Sequence, residues 1–233
     1  CCAGTCIRRL AENSLRGVTA RPLPSRALWT MSPDPGAVLD GALPLLCRGS
    51  GRKGRDLAGD PAALSWCWTA PGAVAAFDLR TGPTIADVEL ESGQHDRRWA
   101  LKGRADEDED LAAKLATRAV AVTSHGYAGG ARLEHALRPF AEAGCWGVPQ
   151  VYDSNRSTEP LVYLRRCLAA WRRLGFPQCR LVPLLGLDAG ERRVLAWIRE
   201  CDRLGLDWHL WSLDDWTPRW AELVGPRLGP LAA

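Results

Sequence analysis

From residue 83 onward, apolar runs and mixed stretches alternate at a regular interval. Strand-like runs fall at 85–90, 119–123, 147–152, 180–185 and 208–213, with helical patterns between them. Their spacing is roughly 30 residues, the length of a βα unit. Three helical stripes recur at three- and four-residue steps. The first is Leu133, Leu137, Phe140 and Ala141; the second is Leu161, Leu164, Leu168 and Trp171; the third is Val194, Ile198 and Cys201, extended by Leu204. Each stripe is followed by a glycine, at Gly144, Gly175 and Gly205, which suits the left-handed position just past a helix end. Pro160 suits the first turn of the middle helix, and the "DAGE" at 188–191 reads as a capping box in which Asp188 caps and Glu191 reaches back. Helices that stop at a glycine shortly before a strand are the rhythm of a parallel sheet with crossover helices.

The choice of parallel architecture turns on where the polar residues sit. No glycine-rich phosphate loop follows any strand, and "SGRKGRD" at 50–56 lacks the nucleotide-loop spacing. Polar and aromatic residues collect instead at the C-terminal end of strand after strand, where a barrel builds its site. The sequence therefore predicts an α/β fold of the (β/α)8 TIM type, one domain over 31–233, incomplete or irregular at its N-terminal start. Its early strands must come from 36–82. "GALPLLCRG" is a good candidate, while "ALSWCWTA" and "AVAAFDLR" read equally as strand or helix.

Residues 1–30 show no periodicity and no initiator Met; the single methionine is Met31. Two explanations compete: a fragment whose start lies upstream, or a disordered, non-native leader ahead of "MSPDPG". A mature lipoprotein beginning at Cys1 is a third. No apolar run has the length of a membrane span, and no signal-type apolar core precedes the domain. The expectation is a cytoplasmic protein, or one released without a recognisable signal peptide.

Composition narrows the partners. A 233-residue chain that is 46% hydrophobic can bury one sizeable core. Its 30 basic and 27 acidic residues leave a net charge of +3, which gives no electrostatic case for nucleic acid. The arginine pairs Arg165–Arg166, Arg172–Arg173 and Arg192–Arg193 fall on helices and read as a solvated outer face. Nine cysteines cannot all pair within one chain, and no C-x-x-C occurs. Cys47, Cys67, Cys145, Cys167, Cys179 and Cys201 read as small buried hydrophobes in a reducing compartment.

The chemistry centres on "TIADVELESG", residues 84–93. Residues two apart on a strand face the same way, about 6.8 Å apart along it. Asp87, Glu89 and Glu91 therefore share one face with Ile85, and Val88 and Leu90 take the other. With the apolar pair against the helices, the acids point into the barrel and climb toward its C-terminal mouth. Carboxylates at this range suit glycoside hydrolysis, with crowding and burial raising one pKa to make an acid while another stays ionised. Arginines pairing with the acids inside the barrel are the structural alternative.

Neighbouring strand ends add candidate substrate contacts. "AVTSHGY" offers His125 and Tyr127, beside Ser124; "VPQVYDS" offers Gln150, Tyr152 and Asp153; "HLWSLDDW" offers His209, Trp211, Asp214 and Trp216. Aromatic platforms and bidentate amide or carboxylate contacts are what sugars bind. His125 and His209 with Asp87 or Asp153 could hold a divalent ion, but no H-x-H occurs, and no metal or other cofactor is expected.

The order "ADVELES", "AVAVTSHGY", "GVPQVYDS" and "HLWSLDDW" resembles the TIM-barrel glycoside hydrolases, especially lysozyme-type muramidases. The resemblance covers roughly 83–216 and rests on short motifs. It implies that Asp87 and Glu89 match the family's D-x-E, with Glu89 as general acid, and that Tyr152 and Trp211 contact sugar. Two departures stand beside it. The family's first-strand Asp has no evident counterpart, Asp40 being one guess, and the segment between Cys179 and Leu187 adds a strand. The resulting expectation is a hydrolase that cleaves a polysaccharide such as cell-wall glycan, using Asp87, Glu89 and Glu91, with a polysaccharide or oligosaccharide as partner and neither nucleic acid nor membrane. The alternatives are a non-catalytic barrel that binds carbohydrate or protein, and a metal-dependent hydrolase.

Overall fold

Helix-length stripes each closed by a glycine do fold as helices that return to a parallel sheet. The computed structural model describes residues 26–30, 45–49, 64–68, 84–87, 119–126, 131–152, 159–211 and 215–224, with isolated positions at 23, 113, 116 and 117. The strands are β1 (Arg26–Thr30), β2 (Leu45–Gly49), β3 (Leu64–Trp68), β4 (Thr84–Asp87), β5 (Ala121–His125), β6 (Trp146–Val151), β7 (Leu184–Gly186) and β8 (Trp208–Trp211). The helices are α1 (Ala131–Glu142), α2 (Pro160–Arg173), α3 (Glu191–Arg203) and α4 (Pro218–Val224).

All described strand pairs are parallel, and β8 pairs with β1, Ala27 opposite His209 and Trp29 opposite Trp211. Side chains are described in β1 and in β4 to β8, which run edge to edge as one curled wall. β2 and β3 carry the backbone ladder from β1 to β4 and complete the ring order.

This corrects the expected (β/α)8 TIM-type barrel. Its defined part is an α/β half-barrel, a curled six-strand sheet backed by four helices, and all four helices follow β5 to β8. Between β1 and β5 only Ala113 and Ala116 are helical among the described residues. A complete (β/α) repeat needs an amphipathic helix to cover the outer side of every strand, and the described helices cover that side of β5 to β8.

Strand alternation sorts the interior into two layers. One parity, Leu28, Ala86, Val122, Val151, Leu185, Trp208 and Leu210, packs outward against Leu137, Phe140, Leu164, Trp171, Val194 and Ile198 of the helices. The other parity, Ala27, Trp29, Ile85, Ala121, Val148 and Leu184, packs inside the curl with Val182. Tyr152 and Trp211 lie partly buried against this inner cluster.

The helix ends follow the sequence at three places. Gly144, Gly175 and Gly205 have φ of 78°, 103° and 64°, a conformation that costs a side-chain-bearing residue about 1–2 kcal/mol. Pro160 opens α2, and Glu159 caps it by accepting the Val162 N–H at 2.9 Å. The "DAGE" capping box does not form. Asp188 sits in a 3-10 turn at Leu187–Ala189, and Gly190, with φ of 90°, takes the cap position of α3 without a side-chain hydrogen bond.

β1 comes from the segment 1–30 that showed no periodicity, so its last five residues belong to the sheet. Arg26 fastens it to the far end of the chain. The guanidinium stacks over Trp208 at 4.4 Å and reaches Asp202 at 3.1 Å and Asp207 at 3.3 Å. Burial lowers the Arg26 pKa, and Asp202 opposes that shift.

The cysteines divide. Cys145, Cys167 and Cys201 are buried and free, as the sequence suggests. Cys179 is exposed and disulfide-bonded, which corrects its reading as a buried thiol. Among the described residues no helix is long and apolar enough to cross a membrane.

Candidate functional site

Four of the residues singled out from the sequence meet at the C-terminal edge of the curled sheet. His125 ends β5, Gln150 is its register partner in β6, Tyr152 follows β6, and Trp211 ends β8. The rings of Tyr152 and Trp211 stack, with centroids 6.2 Å apart and planes 28° from parallel. Both are partly exposed, whereas Gln150 is 3% exposed. The result is an aromatic ledge beside a buried amide and a partly exposed imidazole.

The ledge depends on a residue without a side chain. Gly186 ends β7 and is the register partner of Trp211. A Cβ there would lie 3.0 Å from Tyr152 Cδ1 and 2.6 Å from Asp188 Oδ1. Glycine is what lets Tyr152 lie down toward Trp211. Gly126 plays a related part at the end of β5, where a Cβ would come within 2.2 Å of the Gln150 carbonyl oxygen. Close backbone approach at Gly126 holds the ends of β5 and β6 together.

α2 braces the ledge from behind. The Tyr163 hydroxyl donates to the Tyr152 carbonyl at 3.0 Å, and the Trp171 indole donates to the His125 carbonyl at 3.3 Å. Tyr163 in turn packs on Trp197 of α3, centroids 6.4 Å apart, and the Trp197 indole donates to the Pro160 carbonyl at 2.8 Å. The backbone of two site residues is thus tied to two helices, so the site rests on rigid elements. Tyr163, Trp171, Trp197 and Gly186 were not singled out as functional; Trp171 reads from sequence as an ordinary stripe residue.

Beneath the ledge His209 is fully buried. The Trp29 indole donates to its Nδ1 at 3.0 Å, with ring centroids 6.0 Å apart. An indole N–H can only donate, so Nδ1 accepts and the imidazole proton sits on Nε2. His209 is therefore part of the packed interior, not of the exposed ledge where the sequence placed it beside Trp211. Thr123, the register partner of Asp87, donates to the Val148 carbonyl at 2.8 Å.

Asp87 is the last residue of β4, at the same edge of the sheet as His125. Its side chain lies outside the described residues, as do Glu89, Glu91, Tyr127, Asp153 and Asp214. Among the described residues no group of three or more His, Cys, Asp or Glu is placed to hold a metal ion. No protein-family profile and no curated protein sequence matches the chain.

Proposed function

We propose that the C-terminal edge of the half-barrel binds a glycan on the Tyr152–Trp211 ledge and that the chain hydrolyses glycosidic bonds there. The single observation that carries the reading is the stack of these two rings, partly exposed and positioned by strand ends. Aromatic faces present C–H surface to sugar rings, and Gln150 and His125 are polar groups at the same strand ends, the mix of apolar lining and few polar contacts typical of a ligand site.

The carboxylates of 84–93 supply the chemistry in this reading. Glu89 acts as general acid and protonates the glycosidic oxygen as the bond to the sugar breaks. Asp87, ionised, stabilises the oxocarbenium-like centre or bonds to it, and water then adds its hydroxyl to the anomeric carbon and returns a proton to Glu89, releasing the sugar. Alternation along β4 gives Asp87 one parity with Ile85, which faces the inner cluster.

Two variants test the two halves. Glu89→Gln should abolish turnover of an oligosaccharide while leaving its affinity unchanged in calorimetry. Trp211→Ala should weaken the same binding by at least about tenfold, the loss of a stacking face. Unchanged turnover in Glu89→Gln removes Glu89 as the acid, and unchanged affinity in Trp211→Ala removes the ledge as the sugar site.

A further inference from the structure

The outer face of α2 and α3 carries a second feature that the ledge does not use. α2 contains no Asp or Glu. The acids of α3 are all engaged by other arginines. Glu200 accepts from Arg165 at 3.0 Å and Arg203 at 2.7 Å, Asp202 meets Arg26 at 3.1 Å, and Glu191 meets Arg219 at 3.6 Å. Four arginines are left over: Arg166 and Arg173 on α2, and Arg192 and Arg199 on α3. All four are exposed, and among the described residues none has an ion-pair or hydrogen-bond partner. Each pair is seven residues apart, about 10.5 Å along its helix. The two helices lie side by side, joined by Arg165–Glu200 and by the Trp197–Pro160 hydrogen bond.

The chemistry of this face selects its partner. Neither helix has a lysine. Arginine's planar fork suits carboxylate, sulfate or phosphate oxygens in paired contacts. A lipid surface is disfavoured, because among the described residues Val162 is the exposed large hydrophobic, too little apolar surface to insert. Base stacking is disfavoured too, because Trp171 and Trp197 are buried and Tyr163 packs against the core. A polymer with anionic groups repeated along its length, and no need for insertion or stacking, remains.

We propose that the unpaired arginines of α2 and α3 hold an acidic polysaccharide through its carboxylate groups, outside the Tyr152–Trp211 ledge. The choice of a polysaccharide among polyanions rests on the glycan reading of that ledge. The arginine face grips charge, while the ledge contacts sugar rings.

The experiment uses the full chain with two probes of matched charge, polygalacturonate and a short DNA duplex, and a neutral oligosaccharide as third ligand. Polygalacturonate should bind more tightly than the duplex, and binding should weaken as salt is raised. Arg166→Glu with Arg173→Glu, and separately Arg192→Gln with Arg199→Gln, should each weaken polygalacturonate binding about tenfold or more, with circular dichroism unchanged. Polygalacturonate affinity indifferent to both arginine pairs, or tighter duplex binding, overturns the proposal. Loss of neutral-sugar binding in the unaltered chain, with arginine-dependent polygalacturonate binding intact, would remove the ledge reading and leave the arginine face standing.

Discussion

Trp29 donates its indole proton to Nδ1 of His209 across 3.0 Å, in a place where neither side chain reaches solvent. The contact joins the first strand to the last, Trp29 being opposite Trp211 and Ala27 opposite His209. It fixes the histidine as the Nε2–H tautomer. Trp29→Phe keeps most of the ring and removes the donor, which should destabilise the fold by about 1–3 kcal/mol. A urea titration reads that loss, and nitrogen NMR of His209 in the unaltered protein should show Nδ1 unprotonated. A protonated Nδ1 would contradict the assignment.

Gly186 is the clearance that lets the aromatic ledge form. Gly186→Ala should push Tyr152 away from Trp211 and weaken sugar binding, with a smaller effect on thermal stability. Comparing calorimetric affinity with melting temperature separates the two. A parallel loss in both would mean that Gly186 serves the core alone.

Gly126 and Gly147 should differ in how badly they tolerate alanine. A Cβ at Gly147 meets side-chain atoms of Trp171, Leu181 and Phe176 at 2.8–3.0 Å, and side chains can shift. Such overpacking costs about 1–3 kcal/mol. At Gly126 the nearest atom is the backbone oxygen of Gln150 at 2.2 Å, which cannot move without parting β5 from β6. Gly126→Ala should therefore be the more damaging of the two in chemical denaturation.

Glu200 predicts an acid limb in stability. Hydrogen bonds from Arg203 and then Arg165 hold its carboxyl at about 2, against an ordinary 4.5, although burial pulls the other way. The folded pKa is below the unfolded one, so the ionised carboxylate stabilises the protein above about 4.5, and that contribution is lost as pH falls toward about 2. Glu200→Gln should be less stable than the unaltered chain at neutral pH and should lose less on acidification over this window. Identical pH dependence in the two proteins would show that α2 and α3 are not clamped this way.

The buried thiols should be inert until the chain unfolds. Burial pushes Cys145 up to about 12, and its sulfhydryl donates to the Ala119 carbonyl at 3.2 Å; Cys201 is likewise pushed up by burial. Iodoacetamide at mildly alkaline pH should label neither in the native protein and both in denaturant, read by peptide mass spectrometry. Fast native labelling of Cys145 would contradict its burial.

Much of the second half was legible before any coordinates. The stripes ending at Gly144, Gly175 and Gly205 identify three helices, because a left-handed residue after an amphipathic run is a local requirement. The inner and outer parities of β5, β6 and β8 follow from alternation, also local. "DAGE" misleads for a local reason too: Asp188 can turn either as a helix cap or within a 3-10 turn, and Gly190 with φ of 90° settles it the second way. β1 was not legible, since "RALWT" is short and flanked by prolines, and becomes a strand by pairing with β2 and β8.

The sequence alone determined a run of parallel strands with helices behind them and aromatic and polar residues at the strand ends, since periods of two and of three to four residues are written in neighbouring positions. Only the tertiary structure decided that Tyr152 stacks on Trp211, that His209 belongs to the interior with Trp29, and that the acids of α3 are used up by arginines. Those outcomes join residues far apart in the chain. They depend on how the sheet curls and which strands become neighbours, which no local pattern encodes.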